Sequence, residues 1–295
     1  MKIIISALPE NPWWGKGTPQ YADNPAMVQG TIPNQTILES EWKKFYQKLG
    51  KYSQELDIIP FPSILDGDYT EDWKHDFVFA RDLFVSNKKN EVVIARFKEK
   101  ERQAEEEIIE EWVSKNEINY HKLPYDKEYF VEGGEFYFCP NENILFAGSS
   151  RNNSVGNNKT AELLNVHSLV EIHSNAFHLD TLFTPVFNED NSLCMIIACT
   201  KLMDIDSKNR LLSLTKKLGI DFLEIQPEEA IGSGNNLGSF AVNCLPLQGV
   251  LLGSAPFTSQ AVNSALKIHN ITHSIIPLTQ FRLSGGSVHC LTNEI

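Results

Sequence analysis

The sequence is poor in cysteine, in basic residues and in long apolar runs, and each shortage excludes a class of protein. Its five cysteines are odd in number and irregularly spaced, so they form neither a disulfide framework nor paired Cys-x-x-Cys metal knuckles. No apolar stretch approaches the roughly 20 residues that cross a bilayer. The run Ile3 to Ile5 is too short for a signal peptide. We therefore expect a reduced, cytoplasmic protein without a membrane partner.

Acidic residues outnumber basic ones. The chain has 38 Asp and Glu against 26 Lys and Arg, a formal net charge of -12. This balance argues against nucleic acid and anionic membranes as partners, and it fits a small cationic ligand. With 295 residues, 42% of them hydrophobic, the chain is long enough to bury one large core. The acid-rich stretch Lys98 to Ser114 is interpreted as a helix with a solvated face.

A pattern of strand, strand, helix and strand recurs along the chain. The copies begin at Phe77, Glu135, Leu182 and Ser239. A fifth copy begins at Val288, and the N-terminal segment supplies the strand, helix and strand that it lacks. Starts that lie roughly 45 to 60 residues apart are typical of solenoids and propellers. We predict an α/β fold in which residues 1–295 form a single domain, a five-bladed pseudo-symmetric propeller of ββαβ modules.

Residues 9–33 form a long Pro- and Gly-rich connection between the first strand and the first helix. Loops of this length are often lids or binding loops, and we expect a lid loop here. Trp13 and Trp14 within it have two interpretations, as part of a lid or as residues that pack in the core or against another subunit. The sequence leaves a homo-oligomer open.

The residues with catalytic chemistry share one position in the repeat. They lie at or just before the first strand of four modules: Asp76 and Asp82, Glu132, His178 and Asp180, and Cys290. Each one alone has a structural explanation, as a surface ion pair, a turn or a small core residue. Those explanations do not predict the shared position. Because the first strands of a ring converge on its axis, we expect these side chains to form one site.

This combination fits nucleophilic attack on a guanidinium group. A guanidinium is a delocalised cation at any ordinary pH, and carboxylates along its nitrogen edges would fix its plane. Asp82 and Asp180 would bind it, and Cys290 as thiolate would attack its carbon. His178 would protonate the leaving nitrogen and later activate water, while Glu132 orients its ring. This chemistry calls for no metal and no organic cofactor.

Four motifs together resemble the guanidino-group-modifying superfamily, or penteins, which includes arginine deiminases, dimethylarginine dimethylaminohydrolases, agmatine deiminases and amidinotransferases. The motifs span essentially the whole chain in order: Phe79-Ala80-Arg81-Asp82, Glu132-Gly133-Gly134-Glu135, His178-Leu179-Asp180-Thr181 and Gly285-Gly286-Ser287-Val288-His289-Cys290. The resemblance implies the five-bladed α/β propeller. It also implies that Cys290 is the nucleophile, His178 the general acid and base, Glu132 its partner, and Asp82 and Asp180 the guanidinium ligands.

The resemblance extends to residues around the reacting group. Phe79 resembles the aromatic residue that lies against the guanidinium, and Arg96 and Arg151 resemble arginines that bind an α-carboxylate. These arginines favour an amino acid substrate over agmatine. Asp76 stands where the deiminase branch has asparagine. The glycine-rich stretch from Ile231 to Gly238 lacks the helix that a phosphate-binding loop opens, so it is interpreted as a connection into the fourth module that borders the site beside Asn243.

Three functions remain open at this point. The first is a cysteine-dependent hydrolase of arginine or a derivative, which releases ammonia or an amine and leaves a ureido product. The second is an amidinotransferase, in which an amine instead of water resolves the same covalent adduct. The third is a binding protein on the same propeller, although a binding protein has no need of a nucleophile.

Overall fold

A computed structural model describes residues 2–8, 13–14, 18–62, 74–234 and 236–295. Within them, five three-stranded sheets form the blades of the predicted propeller. In each sheet the middle strand pairs antiparallel with one neighbour and parallel with the other. Four blades are continuous in sequence, and their strands are β3 (Phe84–Ser86), β4 (Glu91–Ile94) and β5 (Asn119–His121); β6 (Phe136–Cys139), β7 (Ile144–Gly148) and β8 (Ser168–Ile172); β9 (Phe183–Phe187), β10 (Leu193–Ala198) and β11 (Asp221–Glu224); β14 (Leu245–Leu247), β15 (Val250–Gly253) and β16 (Thr272–Ile275).

The fifth blade joins the two ends of the chain, as predicted. Its strands are β17 (Thr292–Glu294), β1 (Lys2–Ser6) and β2 (Glu55–Ile59), in that order across the sheet. Ile5 of β1 lies opposite Thr292 of β17. Because β17 is pinned to a buried strand, the residues just before it, including Cys290, are held at a fixed position.

A helix connects the second and third strands of each blade. These helices are α2 (Gln35–Leu49), α3 (Glu105–Lys115), α4 (Ser154–Leu163), α5 (Ile205–Leu218) and α6 (Gln260–Ile268). Polar side chains cap four of them by accepting a backbone N–H of the first turn. The caps are Asn34 for α2, Asn153 for α4, Asp204 for α5 and Ser259 for α6. None of the described helices combines the length and apolar character needed to cross a bilayer.

The structure corrects two predicted first strands. Residues from Phe77 form short 3-10 turns, His75–Val78 and Ala80–Leu83, and the strand covers only Phe84–Ser86. The chain from Ser239 likewise becomes extended only at Leu245. Both segments are buried and approach the axis, so their apolar residues do not alternate with solvated ones in the way that marks a strand. A two-stranded hairpin, β12 (Gly232–Ser233) with β13 (Asn236–Leu237), precedes the fourth blade.

The expected lid loop lies partly outside the described residues, since 9–12 and 15–17 are not among them. Trp13 is fully buried, and its ring stacks on His75 with centroids 4.6 Å apart. For this tryptophan the packing interpretation holds. Further along, the short helix α1 (Pro25–Gln29) begins after Asn24, whose side chain accepts the backbone N–H of Ala26 and Met27. This second half of the segment lies against the end of the chain near Ser284.

Candidate active site

Most of the predicted site residues surround one small cavity at the centre of the ring. Its volume is about 10 Å³, room for roughly one water molecule. Glu132 and Asp180 do not line the cavity but contact residues that do. The lining residues are Asn24, Asp76, Phe79, Asp82, Arg102, Phe177, His178, Ser284, Gly285, Gly286 and Cys290.

Cys290 is held from two sides by polar groups. Its Sγ donates to Oδ2 of Asp180 at 3.2 Å, and Nδ2 of Asn243 lies 3.1 Å from the sulfur. Oδ1 of Asn243 accepts the backbone N–H of both His289 and Cys290. Burial and the carboxylates Asp180 and Asp82 raise the pKa of Cys290 well above its usual value. Cys290 is therefore a neutral thiol, and positive charge beside it would favour the thiolate.

His178 lies between two carboxylates. Its Nε2 donates to Glu132 at 3.0 Å, and its Nδ1 lies 3.7 Å from Oδ1 of Asp82. Burial alone would lower the pKa of His178, but Asp82 and Glu132 outweigh it and raise the pKa to about 9. Glu132 is fully buried, yet its bond to His178 and the charge of Arg151 bring its pKa down to about 2. At neutral pH the pair is an imidazolium and a carboxylate, so His178 is ready to act as an acid.

Two glycines in the predicted motifs are needed for close approach. A Cβ on Gly134 would lie 2.6 Å from Nδ1 of His178 and 2.7 Å from Oδ1 of Asp82. A Cβ on Gly286 would lie 2.0 Å from the ring of Phe79. Any larger residue at either position would displace a side chain of the site. The backbone N–H of Gly134 also donates to Asp82 at 3.1 Å.

A second histidine supports the carboxylate behind the nucleophile. Nδ1 of His289 lies 2.9 Å from Oδ2 of Asp180, and its ring stacks on Tyr137 at 4.1 Å. Burial, together with Arg81, lowers the pKa of His289, so it donates as a neutral imidazole. Burial raises the pKa of Asp180 to about 7. Oδ1 of Asp180 has no hydrogen-bond partner among the described residues, and the same is true of one oxygen each of Asp76 and Glu132.

The arginines differ from the sequence-based prediction. Arg96 does not line the cavity, because its guanidinium donates to the carbonyls of Leu123 and Pro124 and stacks on Tyr125 at 4.4 Å. Its expected role as a carboxylate ligand stays a prediction. Arg102 lines the cavity instead, and it donates to Oδ2 of Asp82 at 2.7 Å.

Arg151 lies beside the pair of His178 and Glu132. Its side chain is 1% exposed, and its NH1 is 3.9 Å from Oε1 of Glu132. Its other edge donates twice to the carboxylate of Asp23. The backbone N–H of Arg151 donates to Glu135, which also accepts the N–H of Leu179 and so ties together the loops that carry Arg151 and His178.

Sequence reasoning misses Arg102, Asp23 and the role of His289. Arg102 lies in the acid-rich stretch whose pattern predicts a solvated face, although it is 2% exposed and pairs with Glu105. The spacing of Arg102 and Glu105 is a signal for this pair, since residues three apart meet on a helical turn. His289 stands inside a motif in which only its neighbour Cys290 receives a role. Asn243, expected only to border the site, bonds directly to the nucleophile.

The ligand atoms of Asp82, Glu132 and His178 lie within 4.8 Å of one another and could in principle surround a metal ion. Their hydrogen bonds argue against that use. Asp82 already accepts from Arg102, and Glu132 accepts from His178. A metal needs a neutral histidine, whereas the pKa of His178 is raised to about 9.

Comparison with known families gives one match over most of the chain. Residues 33–295 match the family model described as N,N dimethylarginine dimethylhydrolase, eukaryotic. Among curated proteins, the bifunctional arginine dihydrolase/ornithine cyclodeaminase ArgZ of Synechocystis is 27% identical over 281 residues. That alignment covers 93% of this chain and 36% of the relative. The chain thus spans about a third of the length of the curated relatives it matches first.

Solved structures show the same fold. The N-terminal domain of ArgZ, solved as a mutant bound to substrate, has a TM-score of 0.78 at 22% identity, and the match covers 99% of this chain and 97% of that domain. Dimethylarginine dimethylaminohydrolase from Pseudomonas aeruginosa, solved as a mutant in complex with citrulline, has a TM-score of 0.71 at 17% identity, and the match covers 100% of this chain and 98% of that one. The pentein fold predicted from the motifs is confirmed.

Proposed function

The chain belongs to the N,N-dimethylarginine dimethylhydrolase family, whose relatives hydrolyse carbon–nitrogen bonds of amidines, and from this premise we propose that it hydrolyses arginine or an N-substituted arginine through a covalent adduct on Cys290. One observation carries the proposal. A cysteine and a protonated histidine face the same small cavity together with the carboxylates of Asp82 and Asp76. A site that only binds its ligand does not need a thiol and an acid together.

The substrate guanidinium would create its own nucleophile. The thiol of Cys290 is neutral because it is buried and because Asp180 and Asp82 surround it with negative charge. A guanidinium that binds to these carboxylates neutralises that charge and favours the thiolate. Asp82 then holds one nitrogen edge of the substrate, a contact for which Arg102 competes in the empty site. Phe79 and Gly286 bound the cavity as an apolar wall for the planar group.

The steps that follow are balanced by one proton carried on His178. The thiolate of Cys290 attacks the guanidinium carbon, a C–S bond forms, and the C=N π electrons move to nitrogen. The imidazolium gives its proton to the leaving nitrogen, the C–N bond breaks, and ammonia or an amine departs. The neutral imidazole then takes a proton from water as the hydroxide adds to the thiouronium carbon. As the C–S bond breaks, the hydroxyl proton of the adduct passes to the sulfur, which leaves a neutral ureido product and restores the Cys290 thiol. The thiol had released its original proton to solvent when the guanidinium bound. Glu132 stabilises each imidazolium stage through its bond to Nε2.

The other end of the substrate would meet positive charge. Arg151 lies next to Glu132 with its guanidinium stacked between Tyr21 and Phe177, whereas Arg102 is bound to Asp82 at the guanidinium end. A buried arginine beside a guanidinium site favours a substrate that also carries a carboxylate. This supports an amino acid over a simple alkylguanidine. The relative ArgZ is named an arginine dihydrolase, and its mutant domain was solved with substrate bound.

Product analysis by mass spectrometry in ¹⁸O-labelled water tests the proposal. Purified protein is incubated with arginine, monomethylarginine, dimethylarginine, agmatine and guanidinoacetate, with and without glycine or ornithine. We expect a ureido product that carries one ¹⁸O and forms without acceptor, and a mass adduct on Cys290 in quenched samples. A new guanidino compound that forms only with acceptor would replace the hydrolase by an amidinotransferase. No product and no adduct with any compound would refute both.

A further inference from the structure

Asp23 occupies Arg151 in the way a free carboxylate would. Nε of Arg151 donates to Oδ2 of Asp23 at 2.7 Å, and NH2 donates to Oδ1 at 2.8 Å. Two parallel N–H to oxygen bonds are the geometry with which arginine recognises carboxylate ligands. The two residues are 128 positions apart in the chain, so the pair depends on the N-terminal segment lying across the ring.

Arg151 is buried and fixed in position, as a carboxylate-binding residue should be, whereas Asp23 is exposed enough to be replaced by another carboxylate. The arginine side chain is 1% exposed, whereas that of Asp23 is 47% exposed. The guanidinium lies 4.7 Å from the Tyr21 ring and 4.6 Å from the Phe177 ring, which fixes its plane. Phe177 in turn stacks on His178 at 4.2 Å. The arginine is therefore held rigidly next to the catalytic histidine, while its carboxylate partner reaches it from solvent.

The segment that carries Asp23 separates two spaces. On the inner side, Asn24 lines the cavity of about 10 Å³, and its Nδ2 donates to the carbonyl of Ser284 at 3.0 Å. On the outer side, Asp23 and Phe177 line an open pocket of about 420 Å³ bordered by the hairpin residue Gly232. The inner cavity is too small for a guanidino acid. A carboxylate that arrives from the outer pocket meets Arg151 at the position that Asp23 holds.

We propose that Asp23 is a specificity-determining residue that competes with the α-carboxylate of the substrate for Arg151. A guanidino acid binds by exchanging one carboxylate for another on the same two N–H groups, and the exchange releases the segment around Asp23. A guanidine without a carboxylate leaves the pair of Asp23 and Arg151 in place and gains nothing from its removal. Asp23 thus reduces the advantage of carboxylated over decarboxylated substrates. This inference rests on the proposed function.

The test compares arginine with agmatine, which has the same guanidinium and amine but no carboxylate. Dissociation constants are measured by calorimetry in the Cys290→Ala background, where turnover does not interfere, with and without Asp23→Asn. We expect Asp23→Asn to tighten arginine about fivefold, the size typical of a half-exposed ion pair, and to leave agmatine within about twofold. With Cys290 intact, Asp23→Asn should raise the ratio of kcat/KM for arginine to kcat/KM for agmatine by the same factor.

Asp190→Asn is the matched control, because Asp190 is exposed on the turn after β9 and does not line the cavity. It should change neither constant. If Asp23→Asn weakens both compounds, Asp23 binds the substrate amine and the inference is wrong. An equal change for both compounds, or none, overturns it as well. Binding of neither arginine nor agmatine to the Cys290→Ala protein would instead overturn the proposed function on which the inference rests.

Discussion

Two groups of buried charges contact His289, a rear group around Glu294 and a front group around Asp180. The pKa of the carboxyl group is lowered in the rear group and raised in the front group. In the rear group Arg81 pairs with Glu294, which also accepts from Lys88 at 2.9 Å. In the front group Asp180 has one oxygen without a hydrogen-bond partner among the described residues. Burial alone would raise the pKa of Glu294, but Arg81 and Lys88 bring it to about 2. The pKa of Asp180 is raised by burial to about 7.

This difference in pKa distinguishes a carboxylate that stabilises the fold from one that is proposed to bind substrate. Glu294 and Asp180 are both at most 1% exposed, so burial is not what distinguishes them. The rear carboxylate has two cations built into the fold. The front carboxylate has thiol and imidazole neighbours, and its missing cation is the one that the proposed substrate brings. An unsatisfied buried charge costs stability, and functional sites are where proteins retain such groups.

The largest effect is expected at the nucleophile. Cys290→Ala should reduce turnover by more than about 10⁴-fold, because Cys290 is the only thiol among the described residues that line the cavity. Its melting temperature should stay close to that of the wild type, since the substitution removes one small side chain whose main polar partner, Asp180, is itself poorly satisfied. Steady-state ammonia release and calorimetry measure the two quantities.

Cys194→Ala provides the matched control, because Cys194 is a buried cysteine of β10 that donates to the carbonyl of Val186. It should lose some stability and keep its turnover. Turnover that persists in Cys290→Ala would remove the covalent mechanism.

The next largest effect is expected at the partner of His178. Glu132→Gln should lower kcat about 10²-fold, the usual contribution of a positioned acid or base. The pKa of His178 is raised to about 9, so the acid form required for departure of the leaving group is lost as the pH rises through that value. Removing the Glu132 charge lowers this pKa, so the alkaline limb of the kcat profile should move to lower pH. A profile with lower kcat but an unmoved limb would contradict the assignment of His178.

The smallest effect concerns stability and compares the two charge groups directly. Glu294→Gln should destabilise the protein by about 3 kcal/mol at pH 7, because it leaves Arg81 and Lys88 with no buried counter-charge. The pKa of Glu294 is depressed in the folded state, so this contribution is present above about pH 4.5 and is lost toward pH 2. Asp180→Asn should stabilise the protein by about 2 kcal/mol at pH 7, because the carboxylate it replaces has a raised pKa.

For Asp180 the sign of the pH dependence is reversed. The folded state favours the protonated form, so the wild type loses stability as the pH rises from about 4 to about 7, and the gain from Asp180→Asn grows over the same interval. Urea unfolding at several pH values between about 4 and 7 measures both variants. Equal losses at the two positions would show that the front and rear carboxylates do not differ.

The order of modules and the principal site residues can be predicted from the sequence. The strand, strand, helix and strand pattern repeats because each blade buries one sheet, and the helix Gln35–Leu49 belongs to the blade that joins the two ends of the chain. Cys290, His178 and Asp82 are recognisable because they recur at equivalent positions of different modules. The turns His75–Val78 and Ala80–Leu83 are not, because buried segments near the axis lack the alternation that identifies a strand.

The arginines show what the local sequence pattern does not predict. Arg96 and Arg102 are six residues apart in a charged stretch. The spacing of Arg102 and Glu105 indicates an ion pair but does not tell which arginine turns inward. The structure decides it, because Arg102 meets Glu105 and Asp82 in the interior while Arg96 meets the carbonyls of Leu123 and Pro124. The sequence does not indicate the contact of Asp23 with Arg151 either, because Asp23 is a single acidic residue in a loop.

By itself, the sequence determined the fold and its five repeats and predicted the nucleophile with its acid, since periodicity and motif chemistry depend on residue types and spacing. Only the tertiary structure decided the charge state of the site and the partner of each arginine. The reason is physical: pKa values and ion pairs depend on distance and burial, and those arise when residues as far apart as Asp23 and Arg151 are brought within hydrogen-bond distance, 2.7 Å.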